Sequence, residues 1–141
     1  MKAMAKRGVL AVVGTALCAM CWSGCGKRPD KEMVLRATVE QVNALTPMEV
    51  DEITRLDSAS YVLPTTLRYH YTLALDSLTE TERADMVAYL RATLPDRLRA
   101  ESGSAAMSEL EITLHYLYRN PAGKMLYEVA IAPAEYAPVA D

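Results

Sequence analysis

Cys25 sits in the most specific chemical setting in the chain, because Ser23-Gly24-Cys25 sets two small residues before a thiol. Two small residues before a cysteine, at the end of an apolar leader, resemble the end of a bacterial lipobox. Cys25 is therefore the expected site for a diacylglyceryl thioether and a further acyl chain such as palmitate. Trp22 departs from that pattern, which usually has leucine there. His70 and His115 are the next candidates. If their segments are neighbouring strands, the two imidazoles could meet near Glu111 or Glu128, and these are metal-ligand types. No short HExxH spacing supports them, and an outward polar row is equally the solvated face of a two-layer domain. No metal or other cofactor is assigned. Glu49, Asp51, Glu52 and Asp57 around Arg55 could supply a carboxylate pair for hydrolysis, or an Arg55–Asp57 or Arg55–Glu52 ion pair could simply hold a strand. No phosphate-binding glycine loop or Gly-x-Ser-x-Gly elbow is present, and no catalytic residue is named.

The leader positions Cys25. Lys2, Lys6 and Arg7 form a basic start without acids, and residues 8–21 are uncharged and mostly apolar. Fourteen such residues fall short of the ~20 needed to span a bilayer, so residues 1–24 are expected to be a signal peptide. Residues 25–30 follow as a lipidated cysteine and short tether, 31–132 as one domain, and 133–141 as a frayed tail. Two or more acyl chains anchor stably, at ~0.8 kcal/mol per buried methylene. Gly26 follows the cysteine, not the aspartate associated with inner-membrane retention, so the outer membrane facing the periplasm is the expected address.

Composition narrows the function classes. All three cysteines lie within the first 25 of 141 residues, which removes a disulfide framework or thiolate site from the body. Removing Lys2, Lys6 and Arg7 leaves 12 basic against 18 acidic residues, a charge of −6 on 117 residues. Nucleic-acid binding needs a basic face and is not expected. Eight of the nine aromatic residues are tyrosines and none is phenylalanine. Their strand positions suit a core with phenolic oxygens at its edge.

Periodicity then orders the body. Leu35, Val39, Val42 and Leu45 recur at helical spacing over Lys31–Leu45, and Thr46-Pro47 ends that helix. Residues 53–63 suit a strand leading to a turn at Pro64-Thr65. Leu67, Tyr69, Tyr71, Leu73 and Leu75 alternate with Arg68, His70, Thr72 and Ala74, the period of a half-buried strand. Thr79-Glu80-Thr81-Glu82 is a capping box for a helix carrying Met86, Leu90 and Leu94. Pro95 is expected either to end that helix or to open a short helical turn over 96–100. Residues 101–108 read as a loop, and 110–118 and 124–132 as a hairpin turning at Asn120-Pro121-Ala122-Gly123. The expected fold is α+β in the order α-β-β-α-β-β, with two helices on one face of a mostly antiparallel four-stranded sheet.

Residues 47–58, with their Thr54-Arg55-Leu56-Asp57 strand, then Tyr69-His70-Tyr71-Thr72-Leu73 and the Tyr116-Leu117-Tyr118 hairpin, resemble a group of small uncharacterised exported bacterial lipoproteins. The resemblance implies no activity or site residue. Similar sequences often carry a C-terminal cysteine pair that this chain lacks. The function expected is that of a membrane-anchored, non-catalytic periplasmic binding or envelope-assembly accessory protein. Its partners would be the membrane, through the lipid anchor, and an envelope protein. A small metal-binding or hydrolytic protein using the polar sheet face is the alternative, and an anchored inhibitor or immunity protein is another.

Overall fold

Burial alternates strictly along β3 (Thr66–Leu73): Leu67, Tyr69, Tyr71 and Leu73 are buried, while Arg68, His70 and Thr72 share the opposite face. The protein's computed structural model describes residues 30–139. The leader, Cys25 and the tether as far as Pro29 lie outside the described residues. β3 is the middle strand of a five-stranded sheet in the order β1-β2-β3-β4-β5, with β1 at Met48–Glu49, β2 at Thr54–Val62, β4 at Thr113–Arg119 and β5 at Met125–Ile131. Neighbours pair antiparallel except β3 and β4, which run parallel from Thr66↔Thr113 to Thr72↔Arg119. A parallel neighbour requires a crossover connection. The chain makes it through α2 (Glu80–Ala100) and α3 (Ser104–Glu109).

The α+β class and the mostly antiparallel sheet stand as expected; the layout has five strands rather than four, and the described residues form four helices rather than two. β1 is two residues long, too short to leave an alternating pattern, yet Met48 and Glu49 pair with Leu56 and Arg55. Beyond its end, Asn43 of α1 (Lys31–Leu45) takes over the edge of β2. Its Nδ2 donates to the Ala59 carbonyl (3.1 Å) and its Oδ1 accepts from the Ala59 amide (2.7 Å). The 101–108 segment is not all loop: Gly103, at φ 91°, permits the turn that starts α3. The segment expected to be a frayed tail opens with α4 (Pro133–Tyr136), and the domain extends past residue 132 because Tyr136 is fully buried.

Pro95 lies inside α2 and does not end it. Leu90, Leu94 and Leu98 form one buried stripe running across the proline. Burying a leucine contributes ~1.5–3 kcal/mol, so the stripe offsets the ~3 kcal/mol cost of an interior proline. The capping box is formed, with Glu82 N donating to Thr79 Oγ1 and Thr79 N donating to the Glu82 carboxylate. α1 packs on β2, and α2 packs on β5. One core cluster joins both helices to the same sheet face. Among the described residues, no helix is long and apolar enough to cross a membrane.

Candidate functional site

The outer sheet face, opposite the one that the core cluster joins to α1 and α2, gathers the polar candidates. β3 and β4 are neighbours, but their register sets Arg68 across from His115 and His70 across from Leu117. The histidines are thus offset along the face rather than paired. Glu111 precedes β4 at φ 58° and bonds Lys31 (3.2 Å), away from the imidazoles. His70 uses both ring nitrogens: Nε2 meets Ser60 Oγ at 2.7 Å and Nδ1 meets Arg119 Nη1 at 3.0 Å. A guanidinium only donates, so Nδ1 accepts, and His70 is the neutral tautomer donating from Nε2 to Ser60. Burial holds its pKa below the ordinary histidine value, aided by the charges of Arg119 and Arg68 and opposed by Asp57. His115 Nε2 lies 3.2 Å from the Glu128 carboxylate. Among the described residues, no group of three or more His, Cys, Asp or Glu side chains converges as metal ligands do.

The acidic cluster resolves into strand-holding contacts. Arg55 Nε donates to Asp57 Oδ1 (2.6 Å), and Thr72 Oγ1 donates to Asp57 Oδ2. Asp51 Oδ1 accepts from the Ile53 amide (3.0 Å), and Glu49 lies on β1 opposite Arg55.

The opposite face holds a site that the sequence reading missed. Between α2 and the sheet lies a cleft of ≈ 260 Å³, whose aliphatic wall includes Leu73, Leu75, Leu78, Leu90 and Leu94. Its floor is a row of tyrosines. Tyr71 stacks on Tyr116 (6.4 Å between centroids) and on Tyr118 (4.8 Å), and Tyr118 stacks on Tyr127 (4.6 Å), with planes within 23°. The stacked faces serve one another, which leaves the hydroxyl ends for the cleft. Among the described residues, the hydroxyls of Tyr71, Tyr116, Tyr118 and Tyr127 make no hydrogen bond, and none is sealed from the surface. Burial pushes all four pKa values up, that of Tyr127 to about 12, so the phenols stay neutral at physiological pH. Asp51 and Arg97 are the charged residues in the lining, and Arg97 Nη2 donates to Tyr89 Oη (3.1 Å). Ile53, Met86 and Tyr89 also line the cleft and are 36–47% exposed, as rim residues would be.

The tyrosines were visible in the sequence as strand residues. The cleft was not, because its volume depends on how far α2 stands from the sheet. Met86 and Tyr89, whose spacing suits a packed helix, are the signal in retrospect: large groups on α2 that stay 36% and 46% exposed.

The fold has a counterpart among solved structures. A candidate secreted protein from Pseudomonas aeruginosa, whose crystal structure is known, is similar at a TM-score of 0.61 with 14% identity, over 75% of this chain and 91% of that one. At that identity the likeness is one of fold. A comparison with curated proteins finds no match. A family profile described as a domain of unknown function, DUF8479, matches residues 30–127, from the residue before α1 into β5. The helix, the crossover and the tyrosine-floored sheet are thus the body of that domain, and the chain belongs to the DUF8479 family.

Proposed function

We propose that this is a non-catalytic binding protein of the cell envelope, anchored through acylated Cys25, which takes a small, largely apolar ligand in the tyrosine-floored cleft. The unpartnered hydroxyls of Tyr71, Tyr116, Tyr118 and Tyr127 carry this reading. Because these hydroxyls are not sealed from the surface, a ligand with one or two neutral polar groups on an apolar body can take the place of the water they would otherwise bond. An apolar cleft with a few convergent polar groups is the usual form of a small-molecule site, and its volume lies near the low end of the ~300–1,000 Å³ common for such sites.

A non-catalytic role fits the chemistry of the cleft. Its phenols are held neutral, and Asp51 and Arg97 are engaged by Ile53 and Tyr89. Export is supported by the leader, and by likeness of fold to a protein that is itself a candidate secreted protein. Gly26, in place of the aspartate associated with inner-membrane retention, favours the outer membrane.

Ligand capture is tested with an apolar naphthylamine fluorophore. The native protein is expected to enhance its emission saturably, and Met86→Trp, which fills the rim, to weaken binding about tenfold. No saturable enhancement by the native protein would sink the reading. The anchor is tested separately: Cys25→Ser should lose palmitate labelling and leave the membrane fraction, and continued labelling would exclude Cys25.

A further inference from the structure

We propose that the outer sheet face carries a second site, for a phosphate oxyanion, built from Arg68, Arg119 and Ser60 around His70. It is independent of the cleft, which lies on the other side of the sheet. The first observation is an orphan. Arg68 Nε is buried and has no hydrogen-bond partner among the described residues, and no carboxylate pairs with its guanidinium. A donor desolvated without an acceptor is costly, and an oxyanion held by the planar fork of that guanidinium is the kind of group that offsets the cost.

The second observation is that the groups around it are spent as acceptors and open as donors. Arg119 reaches back along the sheet to donate to His70 Nδ1, which leaves its other N–H groups without an ion-pair partner. His70 Nε2 donates to Ser60 Oγ, so the Ser60 hydroxyl proton is free to point outward. The imidazole has no acceptor left, and the neighbouring charges that lower its pKa are Arg119, Arg68 and His115.

Among the described residues, the other charges near this spot are Arg55 and Asp57, with Glu49 beside Arg55, and His115 with Glu128. Arg55 and Asp57 neutralise each other (2.6 Å), with Thr72 on the second Asp57 oxygen. Glu128, on the edge strand β5, is engaged by His115. Among the described residues, neither Arg68 nor Arg119 has an ion-pair partner, and both act on a neutral His70 with Asp57 as the opposing carboxylate. A site that offers two guanidinium forks and a hydroxyl, and no free acceptor, selects an oxyanion with several oxygens. In an envelope protein that phosphate could be free in solution or part of a lipid headgroup.

The test titrates inorganic phosphate into the full-length protein in detergent micelles, against chloride at matched ionic strength, while the His70 ring resonances are followed by NMR. Saturable shifts are expected. Arg68→Gln and Arg119→Gln should each weaken phosphate about tenfold, the loss of one charge-assisted pair. Arg36→Gln, on α1 across the sheet, should change nothing. A second arm floats the unacylated Cys25→Ser protein with phosphatidylglycerol vesicles. Recruitment that free phosphate competes away identifies a headgroup, and no recruitment alongside a phosphate response identifies a soluble phosphate. Absence of saturable shifts in the native protein, or shifts retained by the double Gln variant, would overturn the site. Should the double variant not fold, Arg68→Lys/Arg119→Lys decides, because unchanged affinity there would mean diffuse charge and no fork.

Discussion

Tyr136 lies at the end of the described chain, yet its side chain is fully buried and its hydroxyl donates to the Ile112 carbonyl. Arg99 holds the same turn from α2, donating to the carbonyls of Glu135 (2.6 Å) and Ala137 (3.2 Å). Tyr136→Phe leaves the Ile112 carbonyl without that donor and should cost about 1–2 kcal/mol. Tyr136→Ala also empties the site and should cost about 3–5 kcal/mol; urea denaturation measures both. Such a role was not legible in a tail rich in proline and alanine, because burial of one tyrosine leaves no period to detect. His70 gives a second residue-level expectation. Its folded pKa lies below the unfolded one, so the unfolded chain binds the extra proton, and stability is lost as pH falls from ~6.5 through the folded pKa. His70→Gln should flatten that acid limb in melts taken between pH 7 and 5. An equally steep limb would assign it to other groups.

The elements that could be read from the sequence are those with a strong local rule. α1 keeps the bounds Lys31–Leu45 that its periodicity suggests, although Val34 and Thr38 are buried and Leu45 is exposed; β3 matches its alternation, and α2 its capping box. Thr79→Ala removes the acceptor for the Glu82 amide and should cost about 1 kcal/mol, measured as a shift in denaturation midpoint with unchanged m value. What local rules could not supply was decided at a distance. The parallel pairing of β3 with β4 is a property of the crossover, which carries no signature in either strand. Pro95 is tolerated because Leu90, Leu94 and Leu98 stay buried together, a fact about the sheet beneath them. The outer polar face was legible from Arg68, His70 and Thr72, but its register was not, so the offset of His70 from His115 and the approach of Arg119 became visible only in the fold. The cleft belongs to the same class: its residues were legible, and its volume was not.

Taken whole, the protein has made tyrosine its principal core aromatic. Burial raises the pKa of Tyr69, Tyr71, Tyr116, Tyr118, Tyr127 and Tyr136. For an acid whose folded pKa is raised, the neutral form favours the fold. That stability is fully present below the unfolded value of ~10 and is lost as pH rises toward the folded values. Each fully buried phenol then removes up to about 1.4 kcal/mol per pH unit. The protein should therefore unfold cooperatively in alkali, with phenolate absorbance at 295 nm rising together with the loss of secondary structure. Phenolate appearing well before unfolding would contradict the burial. The same row has an optical consequence. Trp22 is the chain's single tryptophan and precedes the described residues, so residues 30–139 themselves contribute phenol and no indole. Rings stacked from Tyr69 through Tyr116, Tyr71 and Tyr118 to Tyr127 couple their electronic transitions across three adjacent strands. Near-ultraviolet circular dichroism of this domain thus reads the alignment of β3, β4 and β5 directly, and anything entering the cleft beneath α2 will write itself into that spectrum without a label.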